Sequence, residues 1–580
     1  MTTSFQGIGI STSRSLALGP AFVDGRGGRS VSLTLITADQ VALEVERLDQ
    51  AVAAARHALK AVRDQIPRHT PINIADFIDT HLLMLEDAAL VEEVRRIVGE
   101  QLCNAEWALQ LQRDALVRVF DEMDDPYLRT RRDDVEHVVQ QIQTFLQTDA
   151  PPAELSLQDL EGRVVVARDL NPADAILLRH RGAVAFVTEL GGPMSHTAIL
   201  ARSLGVPAVM GIHNITRYLR HGELVLVDGE TGSVLADADP HTLEHFRERL
   251  RAIEARQIRL RGLIGQPSMT RDGVEISLLA NLELPEDVDL AKANGACGVG
   301  LYRTEFLYMN RRDLPDEEEH LATYAEIVAN LDGIPITIRT LDLGADKQVD
   351  SVTDLAVGVS NPALGLRAIR LCLKEPDLFQ PQLRAILRAS ALGPVRLMLP
   401  LISNVHEVDT VLGLIEQTKR QLDRDGLDYD PRLPIGAMIE VPAAALTARA
   451  LARRLDFLSI GTNDLIQYTL AIDRLDESVN YLFDPTHPAI LRLVRMTIEA
   501  ARALNRPVSM CGEMAGDPRF TRLLLGIGLR ELSMQPGAIL DIKEVVLQAD
   551  SRKLKRRAAQ LFARLDDTDP GALIDALNAA

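Results

Sequence analysis

Between residues 265 and 580 the chain repeats one theme eight times: a short β-rich run, then a stretch that mostly reads as helix. ISLLAN (276–281), GVGLYRTE (298–305), PITIRTLD (335–342) and VRLMLPLI (395–402) come first. IGAMIE (435–440), FLSIGTND (457–464), VSMCGE (508–513) and ELSMQP (531–536) follow, and the third gap, 343–394, is much the longest. This alternation predicts a (β/α)8 barrel. Polar residues gather at the C-terminal ends of the runs: Arg303 and Glu305, Arg339 and Asp342, Glu440, Asn463 and Asp464, Cys511 and Glu513. In a barrel of parallel strands all those ends open on one face, so residues far apart in the chain converge there.

With 580 residues the chain is too long for one hydrophobic core. Thr37 and Gln40 form a capping-box pattern that opens a helical block. Val41, Val45, Leu48, Val52, Ala55, Leu59, Val62 and Ile66 then recur at spacings of four and three, one apolar stripe along a long helix. Pro67 and Pro71 end it, and helical patterns resume at 74–86, 88–101, 105–123 and 130–147, a bundle of hairpins. After QTDAPPAEL (147–155) come short β-runs: VVVA (164–167), AVAFVT (183–188), AVMG (208–211), LVLVDG (224–229) and SVLAD (233–237). The expected fold is a multidomain α/β protein. Residues 1–30 and 148–237 form one α/β domain and 31–147 an inserted helical domain. Residues 238–264 form a linker helix, with Leu243, Phe246, Leu250, Ile253 and Leu260 apolar, and 265–580 the barrel.

A net charge of −19 argues against nucleic acid or an anionic membrane as partner. The longest apolar runs fall far short of a membrane span, and MTTSFQGIGISTSRS lacks the basic-then-apolar pattern of a signal peptide. Cys103, Cys297, Cys372 and Cys511 lie far apart, which fits free thiols in a reducing compartment better than disulfides or zinc. The expectation is a cytoplasmic protein.

In GGPMSHTAILARSLGVPAV (191–209) paired glycines precede a helix start near Ser195, where free N–H groups favour an anion. His196 is placed there to accept and release a phosphoryl group, with Thr197 and Arg202 as partners for its oxygens. A histidine at a helix start is by itself more often a cap or a packing residue. The glycine-rich setting shifts the balance toward catalysis.

That segment resembles the phosphohistidine domain shared by Enzyme I, phosphoenolpyruvate synthase and pyruvate phosphate dikinase. GLYRTEFLYM, IRTLDLGADK, NPALGLRAIR, IEVPAAAL, SIGTNDLIQYTLAIDR and MCGEMAGD are similar to the phosphoenolpyruvate barrel of the same group. HLLMLEDAAL (81–90) resembles the carrier-binding domain found only in Enzyme I of the bacterial sugar phosphotransferase system. The match is collinear over nearly the whole chain. It implies a swivelling phosphohistidine domain, a TIM barrel that binds phosphoenolpyruvate, and a helical domain that binds the carrier HPr. His196 would take the phosphoryl group and pass it to HPr, with pyruvate as product. Glu440 and Asp464 would hold Mg²⁺, and Arg303, Arg339, Arg474, Asn463 and Asp464 would bind substrate, with Lys347 and Arg367 in secondary contacts. Cys511, beside Glu513, would protonate the enolate, a task suited to a thiol of near-neutral pKa. The resemblance also implies a homodimer through the barrel.

Taken singly these residues read more plainly: an acid in a salt bridge, a solvated arginine, a small core cysteine. Pro193 and Met194 stand where the family more often has Arg and Thr, and SMQPGAIL (533–540) departs from its usual last loop. Ala88 and Ala89 replace frequent acids, which would shift the carrier surface toward His81, Met84 and Leu85. The synthase and dikinase need an ATP-binding domain before the histidine domain, and residues 1–150 carry no glycine-rich phosphate loop. The alternative of another class is a catalytically silent, phosphoenolpyruvate-sensing paralogue, against which the intact His196, Glu440, Asp464 and Cys511 speak.

Overall fold

A computed structural model describes residues 2–10, 16–23, 32–65, 80–85, 87–121, 126–147, 160–170, 175, 178–179, 181–192, 197–198, 201, 205–285, 287–308, 313–343, 362–473 and 479–579. The chain forms two compact units, Met1–Arg256 and Gln257–Ala580.

The first unit is built on an eight-stranded sheet: β1 (Thr3–Gln6), β2 (Ile8–Ile10), β3 (Leu16–Val23), β4 (Val164–Ala167), β5 (Ala185–Thr188), β6 (Ala208–Met210), β7 (Leu224–Asp228) and β8 (Ser233–Ala236). Their order is β1-β8-β7-β3-β4-β5-β6-β2. β3 and β4 are parallel neighbours, with Ala21 opposite Val164, and parallel neighbours need a crossover connection. The helical block is that crossover: α1 (Val41–Gln65), α2 (Ala88–Gln101), α3 (Ala105–Asp121) and α4 (Pro126–Gln147).

Gln40 closes half of the capping box, its Oε1 accepting the Thr37 N–H at 2.9 Å. α4 starts at Pro126 rather than 130, since proline's fixed φ suits the first helical position. Leu48, Val52, Ala55 and Leu59 of α1 are buried in one cluster with Val98, Leu109 and Ile142 of the other helices and with Val165 and Phe186 of the sheet. Val164 and Val166, the alternate residues of β4, enter a separate cluster on the other face.

Two of the three residues expected on the carrier surface face inward, while Met84 is half-buried. His81, 2% exposed and 3.5 Å from Asp134, and Leu85, 1% exposed, lie in the bundle core. They are one helical turn apart and share the inward face, while Leu83 points outward at 68% exposure. α5 (Pro240–Arg261) follows, with Asp239 capping the His241 and Thr242 N–H groups at 3.0 Å. Leu243, Phe246, Leu250 and Ile253 pack against Leu16 and Leu226 of the sheet.

The second unit is a closed barrel of eight parallel strands: β9 (Ser277–Leu282), β10 (Val299–Tyr302), β11 (Ile336–Arg339), β12 (Val395–Leu399), β13 (Ile435–Ile439), β14 (Phe457–Ile460), β15 (Val508–Met510) and β16 (Glu531–Met534). Pairing of β16 with β9, Glu531 opposite Ser277, closes the ring. Leu301, Met398, Met438, Phe457 and Cys511 form a small buried cluster filling the barrel, and the residues between them face the surrounding helices. The strands stop short of the sequence runs, so most of the polar ends belong to the loops and helix starts beyond them. α6 (Glu317–Leu331), α7 (Pro376–Ala389) and α8 (Thr462–Leu470) are the outer helices that bear on the site. Among the described residues no helix is long and apolar enough to cross a membrane.

β1 and β2 lie at opposite ends of the first sheet yet are separated in sequence by Gly7 alone. Gly7 donates to the Gly232 carbonyl at 2.9 Å, and Gly232 has φ +72°. A Cβ at Gly232 would overlap the Gly7 carbonyl oxygen. Gly232→Ala is therefore expected to destabilise the first unit by about 1 kcal/mol or more. Calorimetry of the full chain would show the first unit's transition moving down while the barrel's stays.

Candidate active site

β11 delivers two charged residues to the barrel mouth, Arg339 at its last position and Asp342 three residues on. Arg339 is 8% exposed; it pairs with Glu305 at 2.5 Å and with Asp342 at 3.0 Å. Arg367, at the start of the helix Ala368–Lys374, holds the other Asp342 oxygen at 2.9 Å. Burial pulls the Arg339 guanidinium down, but the Glu305, Asp342 and Glu440 carboxylates outweigh it and keep it above its ordinary value. The Nε atoms of both arginines are buried and, among the described residues, have no hydrogen-bond partner. Donors left open in this way fit an anionic ligand.

Glu440 follows β13 and is 1% exposed. Its Oε1 accepts the Leu401 N–H at 2.5 Å, and Leu401 adopts a left-handed backbone, φ +53°, to present that group. A bulky residue in this region is strained, and the strain sits beside the site. Asp464 lies in the first turn of α8. Carboxylate oxygens of Asp342, Glu440 and Asp464 lie within 4.8 Å of one another. Burial first, then the Asp342 and Asp464 charges, push the Glu440 carboxyl up to about 8. Three converging hard oxygen donors whose mutual repulsion a cation would relieve are a fitting donor set for Mg²⁺. Sequence reasoning named Glu440 and Asp464 for this role and left Asp342 among the polar strand ends; its spacing from Arg339 carries no metal signature.

Other candidates fall as follows. Arg303 follows β10, is about two-fifths exposed and pairs with Glu283. Asn463, beside Asp464 on α8, uses both ends of its amide on Glu513: Nδ2 donates to Glu513 Oε1 at 3.0 Å and Oδ1 accepts the Glu513 N–H at 3.1 Å. Its side chain thereby ties α8 to the loop after β15. Gly512 lies between them, and a Cβ there would overlap Thr462 Oγ1.

Cys511 is 5% exposed. Its sulfur accepts from Ser459 Oγ at 3.4 Å, and its S–H faces the Ile460 carbonyl at 3.7 Å; Glu513 is not its hydrogen-bond partner. Burial pushes the thiol up, against the opposing pull of Ser459, Arg339 and Arg303, so the expected near-neutral value is not found. The group stays protonated at neutral pH, as a donor must. All four cysteines are free.

Thr197 is buried and donates to the Leu170 carbonyl, which commits its hydroxyl to the fold rather than to a phosphate. His196, Pro193, Met194, Arg202, Lys347 and Arg474 lie outside the described residues.

Three segments match known families: residues 258–551 the phosphoenolpyruvate-utilising enzyme phosphoenolpyruvate-binding domain, 159–232 its mobile domain, and 8–131 its N-terminal domain. The fold and site thus define a phosphoenolpyruvate-utilising enzyme. A phosphoenolpyruvate-protein phosphotransferase of Cupriavidus necator is 47% identical over 98% of both chains. Another from Geobacillus stearothermophilus is 38% identical over 92% of this chain and 90% of its own. A solution structure of an Enzyme I protein covers 43% of this chain and 99% of its own at 28% identity, with TM-score 0.37. The chain belongs to the phosphoenolpyruvate-protein phosphotransferase family, the Enzyme I transferases.

Because folded Glu440 holds its proton more tightly than the unfolded chain does, its contribution to stability is full below about 4.5 and lost as pH rises through about 8. In cation-free buffer the barrel's melting temperature should fall across that window, and Glu440→Gln should flatten the fall.

Proposed function

We propose that this chain takes the phosphoryl group of phosphoenolpyruvate onto His196 and passes it to the carrier HPr, releasing pyruvate. The observation that carries the reading is the set formed by buried Arg339, Asp342 and Glu440 with half-buried Arg367 and Asp464 at the barrel mouth, together with the buried Cys511 thiol at the end of β15. Glu440, Asp464 and Asp342 would hold Mg²⁺, which when bound neutralises charge on the transferring phosphoryl oxygens. Arg303, Arg339 and Arg474 grip the substrate's phosphate and carboxylate, to which a planar guanidinium binds bidentately. Asn463 orients α8 and, through Glu513, the Cys511 loop. His196 attacks phosphorus in line; its free ring nitrogen supplies the new bond's electron pair, and the P–O bond to the enolate breaks. The Cys511 S–H protonates the enolate's methylene carbon to give pyruvate.

One histidine serving a small-molecule donor and a protein acceptor requires the domain that carries it to move as a body. The proposed domains are the swivelling one at 1–30 and 148–237, the HPr-binding one at 31–147, the linker at 238–264 and the barrel at 265–580. A cytoplasmic location and a homodimer through the barrel complete the proposal. The family resemblance supports the dimer, and exposed Leu446, Tyr481 and Leu482 on the barrel unit suit it.

His196→Gln should abolish acid-labile labelling by radioactive phosphoenolpyruvate and all transfer to HPr. Near-normal transfer by that variant would remove the assigned nucleophile. Cys511→Ser, with a far less acidic hydroxyl, should slow turnover by about 10²–10⁴-fold while weakening substrate binding little. Run in heavy water with stereospecifically labelled substrate, the serine variant should give a pyruvate methyl group of scrambled chirality. A wild-type rate and unchanged chirality would return Cys511 to a packing role.

A further inference from the structure

Behind β11 a buried polar chain runs outward from the site. Gln382, on α7, has no exposed surface. Its Oε1 accepts the Leu341 N–H at 2.9 Å, and its Nε2 donates to Thr304 Oγ1 at 3.0 Å and to the Tyr324 hydroxyl at 3.3 Å. The Thr304 hydroxyl in turn donates to the Arg339 carbonyl at 3.0 Å. The Tyr324 hydroxyl lies 3.1 Å from His320 Nδ1, and His320 Nε2 lies 3.2 Å from the Tyr308 hydroxyl. Each of these side chains is essentially solvent-free.

The bonds converge on the backbone between Arg339 and Asp342. The Arg339 carbonyl is held through Thr304 and the Leu341 N–H directly, so one amide fixes both flanks of the peptide that sets the two charged groups apart. Thr304 also stands between Arg303 and Glu305, which brings the end of β10 under the same amide. A leucine at 382 would fill similar space, but it would leave the Leu341 N–H unpaired in the interior. A satisfied buried network stiffens what it holds, and groups that orient metal or substrate ligands from behind are often as consequential as the ligands.

We infer that Gln382 is a positioning residue, which through Leu341 and Thr304 fixes the spacing of Arg303, Arg339 and Asp342. This rests on the reading of the barrel mouth as the metal and phosphoenolpyruvate site. The test is Mn²⁺ binding to the full-length protein in the presence of phosphoenolpyruvate, followed by electron paramagnetic resonance, alongside steady-state kinetics. Gln382→Met keeps the volume and removes the bonds; it should weaken Mn²⁺ binding by about 10–100-fold and raise the substrate KM. Thr304→Val should reproduce the effect, Thr304→Ser should restore it, and Gln382→Met with Thr304→Val should lose little more than the worse single change.

Gln380→Met is the control for simple destabilisation. Gln380 sits on the same helix but donates to Thr418 at 3.1 Å and Gln421 at 2.6 Å, away from the site. Mn²⁺ binding by Gln382→Met indistinguishable from wild type would overturn the inference. So would losses in Gln382→Met and Gln380→Met that simply track their melting temperatures. A wild-type protein that fails to bind Mn²⁺ at all would instead remove the site reading beneath it.

Discussion

Three carboxylates gathered within a few ångströms, two of them buried and Asp464 half-buried, repel one another, and the barrel mouth is arranged around that repulsion. Two guanidinium groups share Asp342, and a strained Leu401 N–H is turned onto Glu440. A backbone amide and two cations lower the cost of the cluster without removing it, since Glu440 still resists ionisation. What remains is an excess of negative charge that a divalent cation can meet. The Nε donors of Arg339 and Arg367, buried and unpartnered among the described residues, leave hydrogen-bonding capacity for an anion beside the carboxylates. On the proposed reading, a cation against the carboxylates and an anion against the guanidinium groups would each offset charge that the other leaves uncompensated.

The barrel was largely legible because its strands are short β-branched and aliphatic runs bounded by turns, and all eight appear where the pattern puts them. Strand ends were less legible. Asn463 and Asp464 read as the tail of a strand, yet the chain turns at Gly461 and places both on the first turn of α8. Periodicity cannot see that turn, because a strand's end is set by where its neighbours stop pairing. The third carboxylate was visible as a residue but not as a member of the cluster, because only closure of the ring brings Asp342 to Glu440 and Asp464.

Thr197 and His81 show the same limit from the other side. Both are polar residues in motifs that suggest contact with a partner, and both are buried, one donating to the Leu170 carbonyl and the other beside Asp134. A motif reports which residues recur together; it does not report which way each side chain faces. The capping box was readable because its two partners lie three residues apart, and the stripe of α1 because its spacing repeats along one helix whatever it packs against. Gln382 gave no signal, since its partners, Thr304, Tyr324 and Leu341, lie more than forty residues before it in the chain.

The seam at Gly7 has a consequence for how the first unit behaves in company. Open sheets carry two rows of unsatisfied peptide groups that can recruit another chain. Here one continuous stretch, Thr3–Ile10, supplies the strand at each end of the order, so the same few residues guard both flanks. Peeling away that stretch would bare β8 and β6 together. Local opening of these eight residues would therefore offer two strand edges at once for pairing with another chain.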